Sequence, residues 1–501
     1  MTFGTRVTVI LSVFGLALGC WAVGGVSGAM TAVVVGSLVG FVPLHCRTPA
    51  SWLLLWARRR ERIELTAPRT LANDRSGGGV RYQDGFAAAA IHVLGTEHST
   101  TLLRGNTASS EGTVLCINDL IPLLDQGLGL RIHSLSVVTT GARRRESGDY
   151  PRVYDTLIGA VPYAGRRETW LIVRVHALGN AEPLSRRASL GSATLAATQR
   201  IAASLRERGI RSRVATAAEI TELDRRLGIA SVEPARRQWN SVSSGRCWLT
   251  TYAYPPEDLS TEGLARIWSA HLDGLIQNIT LFADRTATAT VTTLTAQPPA
   301  DHPSLGLRSL PGEQARAVAA NLCGPLPKLA GVKRANLVHV VTIPMGPSGV
   351  LVGPVGPGER LVLPFSDPTE LSRIHLAAED SLVKRLLIRL AASGERVTVH
   401  TLDSRRWSRI RLPDVTVTEW DKPIPGTTIG VVDGTVVLAP RPDTLITVDR
   451  CGSTPDGAAD IVISQIGPAT VSVVVGDRQY QVEMELFRAE NRYAVSEEIA
   501  S

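Results

Sequence analysis

Val7–Gly24 reads VTVILSVFGLALGCWAVG and Ala29–Leu44 reads AMTAVVVGSLVGFVPL, with only Gly25-Val26-Ser27-Gly28 between them. Neither run carries a charge. A helix rises about 1.5 Å per residue, so a run of about 18 residues just crosses a hydrocarbon core. The second run is slightly short; Ser27, Gly28, His45 and Cys46 complete it, with local thinning of the bilayer. The expectation is a tight two-helix transmembrane hairpin. Gly15/Gly19 and Gly36/Gly40 give a Gly-x-x-x-Gly spacing in each span, which permits close helix approach.

Both ends of a hairpin lie on one side of the membrane, and arginine selects the side. Arg6 precedes the first span; Arg58, Arg59, Arg60 and Arg62 follow the second; the connecting loop is uncharged. The positive-inside rule then places both termini and the remaining ~440 residues in the cytoplasm, against the inner (plasma) membrane. Trp52, Leu53, Leu54, Leu55 and Trp56 read as an interfacial segment, indoles at headgroup level. A signal peptide shares the basic start and apolar core, but a second apolar run and a basic cluster behind it oppose export.

The 501 residues suffice for two or three domains. Aromatics are scarce, so the core rests on Val, Leu, Ile and Ala. The formal charge is +7, and nearly all of the basic residues are arginine; the lysines are Lys328, Lys333, Lys384 and Lys422. With abundant Ala, Val and Gly, this is the bias of a GC-rich genome. Basic runs such as Arg143-Arg144-Arg145 are short and have no aromatic ladder, which argues against nucleic acid as a partner. The six cysteines are scattered with no C-x-x-C, as expected of reduced cytosolic thiols.

The fold expected is α/β: an N-terminal two-helix transmembrane hairpin followed by mixed α/β cytosolic domains with a β-rich C-terminal part. Residues 1–62 form the hairpin and interfacial segment, and 63–79 a linker containing Pro68, Asn73, Asp74, Ser76 and three glycines. The first α/β domain covers 80–296. Asp84-Gly85 between apolar runs signals a hairpin. Asp119–Asp125 reads as a short helix and Leu128–Val138 as a strand. Thr169–His176, a helix over 192–208 ending at Gly209, and Ile210–Ala215 read as a βαβ crossover. Thr216 and Glu219 form a capping box for a helix carrying Ile220, Leu223 and Leu227. Leu275–Leu294 reads as two strands turning at Ala283-Asp284-Arg285.

Residues 297–310 mark a boundary. A second α/β domain covers 311–412, with a strand over 338–343, a helix carrying Leu382, Leu386 and Leu390, and a strand at 396–400. A β-rich region covers 413–487, with strands that include Thr435–Ala439. Residues 488–501 form a polar, frayed tail.

The chemistry-bearing motifs are missing. Gly346–Gly358 is glycine-rich, but a P-loop needs a lysine and a hydroxyl after the glycines, and its prolines remove amide donors. It reads as strand, turn, strand. The ten histidines stand singly; His92, His133, His176, His339 and His400 lie in or beside expected strands, where structural roles dominate. No H-E-x-x-H, G-x-S-x-G or Asp-x-Asp occurs. Glu257 and Asp258 precede a helix, where carboxylates favour its dipole. The sequence thus nominates no catalytic, cofactor-binding or metal-binding residue.

Several segments carry a resemblance. They are the hairpin with its arginines, Arg166-Arg167-Glu168-Thr169-Trp170-Leu171-Ile172-Val173-Arg174, and the helix–strand unit over 195–215. Tyr252-Ala253-Tyr254-Pro255 leading to Leu264 and Trp268 is another. So are Gly349-Val350-Leu351-Val352-Gly353 leading to Leu363-Pro364-Phe365, and Ala391-Ala392-Ser393-Gly394 before Val397-Thr398-Val399. In this order they resemble EccE, a membrane component of actinobacterial ESX (type VII) secretion systems. The resemblance is weakest after Val415. It implies a non-catalytic structural subunit of a large inner-membrane complex with EccB, EccC and EccD, of which EccC is the motor ATPase. It carries over no catalytic residues. The competing reading is a membrane-anchored nucleotide- or sugar-nucleotide-binding enzyme of the cytoplasmic face, motivated by the βαβ pattern and the glycine-rich turns.

Overall fold

The computed structural model describes residues 3–41, 48–58, 63–71, 77–110, 114–233, 236–298, 306–368, 370–408, 410, 412–434, 436–455 and 457–494. Expectations for His45, Cys46, Arg59, Arg60, Arg62, Thr435, the core of the linker and residues 495–501 lie outside them.

The apolar N-terminus is helical over Phe3–Phe41, in two helices that meet at the non-helical Gly25 (φ 62°, ψ −154°). The four-residue loop expected there is absent; a single residue breaks the helix, because glycine alone adopts this backbone cheaply. Ile10–Gly40 is long and apolar enough to cross a membrane. Leu11, Phe14, Trp21, Val23 and Met30 are mostly exposed, a stripe that water does not tolerate well. A Cβ on Gly28 would stand 2.7 Å from the Cys20 carbonyl oxygen, and one on Gly36 2.9 Å from Cγ2 of Val13. A short helix, Pro49–Arg58, follows, and Trp52 stacks on Trp239 of the body with ring centroids 5.5 Å apart.

A twelve-stranded antiparallel sheet forms the first core. Its main path runs Arg69–Thr70, Gly79–Gln83, Phe86–Val93, Arg166–His176, Ser134–Ala142, Gly274–Phe282, Thr286–Thr295, Trp248–Ala253 and Val242–Ser243. Side chains alternate between faces, so a strand buried on both reads as a continuous apolar run. Leu171, Val173 and Val175 face the helix Leu190–Glu207 with Ile91, Leu135 and Ile279. Trp170 and Ile172 face the helices Ala217–Arg226 and Gln314–Ala319. The hairpin at Asp84-Gly85 has positive φ at both turn residues, as a two-residue turn requires. The capping box forms: Thr216 N donates to Glu219 Oε2 (2.9 Å) and Glu219 N to Thr216 Oγ1 (3.2 Å).

The expected crossover is altered. Arg166–His176 and Ser212–Val214 run parallel, but Phe86–Val93 lies between them, with Ile91 opposite both Leu171 and Val214. An earlier strand fills the gap, which a reading of neighbours along the chain does not reveal. Three other expectations shift. Asp119–Asp125 is not an α-helix but two 3₁₀ turns split at Pro122. The strand expected from Leu128 begins at Ser134, because Leu128 sits in a turn at φ 57°. Of 338–343, only Thr342 and Ile343 fall in a strand, Thr342–Pro344, which pairs with Val114–Cys116.

A second, eight-stranded sheet orders Val415–Thr418, Val397–Thr401, Ile429–Asp433, Thr444–Asp449, Ser372–Ala377, Ile461–Gln465, Thr470–Val475 and Arg478–Glu483. The first six strands are parallel and the last two antiparallel. Strands from both sides of residue 412 therefore pair within one sheet. Residues 436–439 form no strand. The helix Asp380–Ser393 packs on this sheet, joined by Tyr150, Tyr154 and Ile158 of the helix Asp149–Ile158. A third sheet of four strands pairs Val350–Gly356 and Glu359–Leu363 with Thr101–Arg104 and Thr107–Ser110. Early chain thus builds part of the late core. The expected frayed tail is partly ordered: Arg488–Ala494 is helical, and Glu490 is fully buried.

Candidate functional site

Among the described residues, no group of histidine, cysteine and carboxylate side chains has the geometry to hold a metal. Gly346–Gly358 enters the hairpin Val350–Leu363, where a Cβ on Gly349 would stand 2.1 Å from the Leu363 carbonyl carbon. Gly349 and Gly353, where a Cβ would stand 2.1 Å from the Glu483 carbonyl oxygen, serve close backbone packing. In the parallel sheet, the turn after Ser372–Ala377 is where a nucleotide phosphate would meet a helix N-terminus. Glu379 and Asp380 stand there instead. Glu379 N donates to Gln465 Oε1 (2.7 Å), and Asp380 takes Arg406 Nη2 at 2.5 Å.

Of the five histidines the sequence singled out, His339 is exposed, and the other four pack against neighbouring side chains or backbone, with His133 and His176 5.8 Å apart between ring centroids. His92 stacks on Trp170 at 4.1 Å, and burial pushes its pKa down to about 4. His133 and His176 flank Phe86 at 5.1 and 4.4 Å. His400 Nδ1 lies 2.7 Å from the Trp420 carbonyl oxygen. Glu257 and Asp258 lie in the 3₁₀ turn Pro256–Asp258, ahead of the helix Thr261–Arg266.

What the sequence did not reveal is a set of buried charges that tie distant elements together. Arg174, fully buried, donates from Nη1 to Ser136 Oγ (2.6 Å) and from its other nitrogens to the carbonyls of Ala320, Leu322 and Gly324. Arg81 Nη1 meets Asp224 Oδ2 at 2.6 Å, and Asp224 Oδ1 accepts from Cys323 N at 2.9 Å. Burial raises the Asp224 pKa, against the pull of Arg81. Each arginine of the Arg143-Arg144-Arg145 run has a carboxylate: Asp155 (2.7 Å), Asp273 (2.8 Å) and Asp414 (2.6 Å). Arg145 thereby joins the first sheet's region to the second. That run is internal cement, each guanidinium matched by a carboxylate of the body. The signal in the sequence was the apolar neighbourhood of Arg174; most partners of these arginines lie too far along the chain to be paired by inspection.

A cleft of about 750 Å³ opens between the strand Thr107–Ser110, the segment Thr342–Pro344 and the helix Thr261–Arg266. Arg167 and Trp268 line it, with the guanidinium 5.2 Å from the indole centroid. Arg167 Nε donates to the Gly346 carbonyl (2.6 Å), and burial pushes its pKa down to about 10.

A body cross-tied by internal ion pairs, led by an apolar helix that leaves its side chains outside, is built as a membrane-associated structural component. Comparison with known proteins gives the family. Residues 163–254 match the family described as EccE, a putative type VII ESX secretion system translocon. Over 99% of its length the chain is 43% identical to the ESX-2 secretion system protein EccE2 of Mycobacterium tuberculosis, covering 96% of that protein. It is 24% identical to the ESX-1 secretion system protein EccE1 of the same species over 73% of this chain and 75% of that one. It is 32% identical to the ESX-5 secretion system protein EccE5 of Mycobacterium marinum, over 22% of this chain and 28% of that one. The chain belongs to the EccE family.

Proposed function

We propose that the chain is a non-catalytic structural subunit of an ESX membrane complex, supporting the assembly and stability of the export machinery beside EccB, EccC and EccD. The observation that carries this reading is the end-to-end likeness to an ESX-2 component, apolar helix included.

The apolar segment, in this reading, crosses the bilayer twice. Residues 13 and 36 would stand about 35 Å apart on a straight helix. The contact between Val13 and the Gly36 position, with that between Cys20 and Gly28, supports a reversal at Gly25. Arg6, Arg58, Arg59, Arg60 and Arg62 then hold both ends and the body on the cytoplasmic side. The division into a first α/β domain over 80–296, a second over 311–412 and a β-rich part over 413–487 goes with this reading, the last two sharing a sheet.

Deletion of the chain should abolish export by its own ESX system, and the full chain should restore it. A cysteine placed in the C-terminal part should resist an impermeant maleimide applied to intact cells. Unchanged export after deletion, or labelling from outside, would overturn the proposal.

A further inference from the structure

The parallel part of the eight-stranded sheet lacks a helical cover on one face. Ile374, Leu376, Ile446 and Val448 point into the core with the helix Asp380–Ser393. Their neighbours Arg373, His375, Leu445, Thr447 and Asp449 alternate to the opposite face. Parallel sheets are ordinarily packed by helices on both faces. Here the connections over 434–443 and 450–460 hold no helix among the described residues. They leave a cavity of about 490 Å³ on the sheet, a size that suits a small organic ligand. Part of its wall is seated firmly: a Cβ on Gly430 would stand 2.7 Å from Cγ of Pro442.

The floor is polar where a packed sheet would be apolar, and its charge is divided. Arg373 lies opposite Leu445 at one end, and Arg441 is close enough to feel its charge. Asp449 lies at the other end of the same strand, about 13 Å from Leu445. Its Oδ2 is 3.3 Å from His375 Nδ1. Neither guanidinium has an ion-pair or hydrogen-bond partner among the described residues, and Nε of Arg441 is buried without one. Asp460 Oδ2 instead accepts from the Arg373 backbone N–H at 2.7 Å. Burial and then the Arg373 charge push the Arg441 pKa down, and Asp460 offsets them only in part. Two unpaired like charges on one cavity cost stability until an anion joins them.

We propose that this cavity binds a small soluble phosphate monoester, its phosphate bridging Arg373 and Arg441 and its organic body lying over Thr447 towards Val432 and Leu438. A carboxylate satisfies one guanidinium with its two oxygens. A phosphate monoester has three free oxygens and a charge of about −1.5 to −2, so it reaches both. The acidic end at Asp449 keeps the anion at the arginine end. The inference goes beyond the subunit reading and does not depend on it.

The test uses the full chain in phosphatidylcholine nanodiscs and calorimetric titration. The probes are phenyl phosphate, benzoate and inorganic phosphate. Phenyl phosphate should saturate the protein, with benzoate and inorganic phosphate each about tenfold weaker or worse. Arg441→Met and Arg373→Gln should each weaken phenyl phosphate by about tenfold or more. Arg441→Met should not lower the melting temperature of the ligand-free protein, since it removes an unpaired charge; a lowered melt would make Arg441 a structural tie and overturn the proposal. Adding phosphatidic acid to the nanodiscs should leave phenyl phosphate binding unchanged; competition would overturn the soluble ligand in favour of a lipid headgroup. No binding at millimolar phenyl phosphate, equal binding of benzoate or inorganic phosphate, or unaffected arginine variants would each overturn the proposal. None of these outcomes bears on export after deletion, so the two readings fail separately.

Discussion

Arg389 and Glu490 meet at 2.6 Å with neither side chain exposed to solvent. Arg385, one helical turn earlier, reaches the other carboxylate oxygen at 2.9 Å, and Tyr150 donates to Oε1 at 2.8 Å. Through one carboxylate the C-terminal helix is fastened to the helix Asp380–Ser393 and to Tyr150 of a much earlier helix. Removing one partner from a buried ion pair leaves an uncompensated charge, which costs about 3–5 kcal/mol. Glu490→Gln should lower the urea midpoint of the second core and open residues 488–494 to protease. An unchanged midpoint and digestion pattern would mean the clasp is idle.

The stack of Trp52 on Trp239 couples the short helix after the apolar segment to the soluble body. Such pairs contribute about 0.5–1.5 kcal/mol beyond area burial. Trp239→Ala should therefore speed amide exchange across residues 48–58 by about threefold to tenfold. Leu53→Ala, at an exposed position of the same helix, should leave that exchange unchanged.

His92 gives the first core a pH dependence. Its folded pKa is depressed by burial from 6.5 to about 4, so between those values the unfolded chain binds the extra proton. Its contribution is complete above about pH 6.5 and is lost as the pH falls towards 4, on the order of 3 kcal/mol in all. His92→Phe keeps a ring against Trp170 and should flatten stability against pH across that window. An equally steep profile in the variant would refute the assignment; some slope remains from His133, which burial also depresses.

Local features were legible in the sequence. The strand expected over 169–176, the capping box at Thr216, and the hairpins turning at Asp84-Gly85 and Ala283-Asp284-Arg285 all formed, although the strand starts earlier than expected, at Arg166; each is decided within about ten positions. The split crossover, the helix Asp149–Ile158 in the later core, and Glu490 were hidden. Their partners lie far along the chain: Tyr150 and Glu490 are separated by 340 positions. A clue to the clasp existed in Arg385 and Arg389, two arginines four apart on a helix otherwise lined by leucine. The cleft beside Arg167 was hidden for the same reason, since its walls come from four separate stretches.

The reversal proposed at Gly25 has a covalent test. A Cβ on Gly36 would stand 3.4 Å from the Val13 Cβ, close to disulfide spacing. A Val13→Cys, Gly36→Cys chain, with Cys20 and Cys46 replaced by serine, should form an intramolecular bond on oxidation in membranes. A single straight span could not bring these positions together, and failure to cross-link would favour it.

The central claim is membership of a membrane-embedded export assembly. Its most direct test is affinity purification of the tagged full chain from detergent-solubilised membranes, followed by mass spectrometry of one gel-filtration peak. The expected result is co-elution with EccB, EccC and EccD far above the mass of a single chain. Elution as a solitary chain in its micelle, with those three recovered as an intact complex elsewhere, would contradict it.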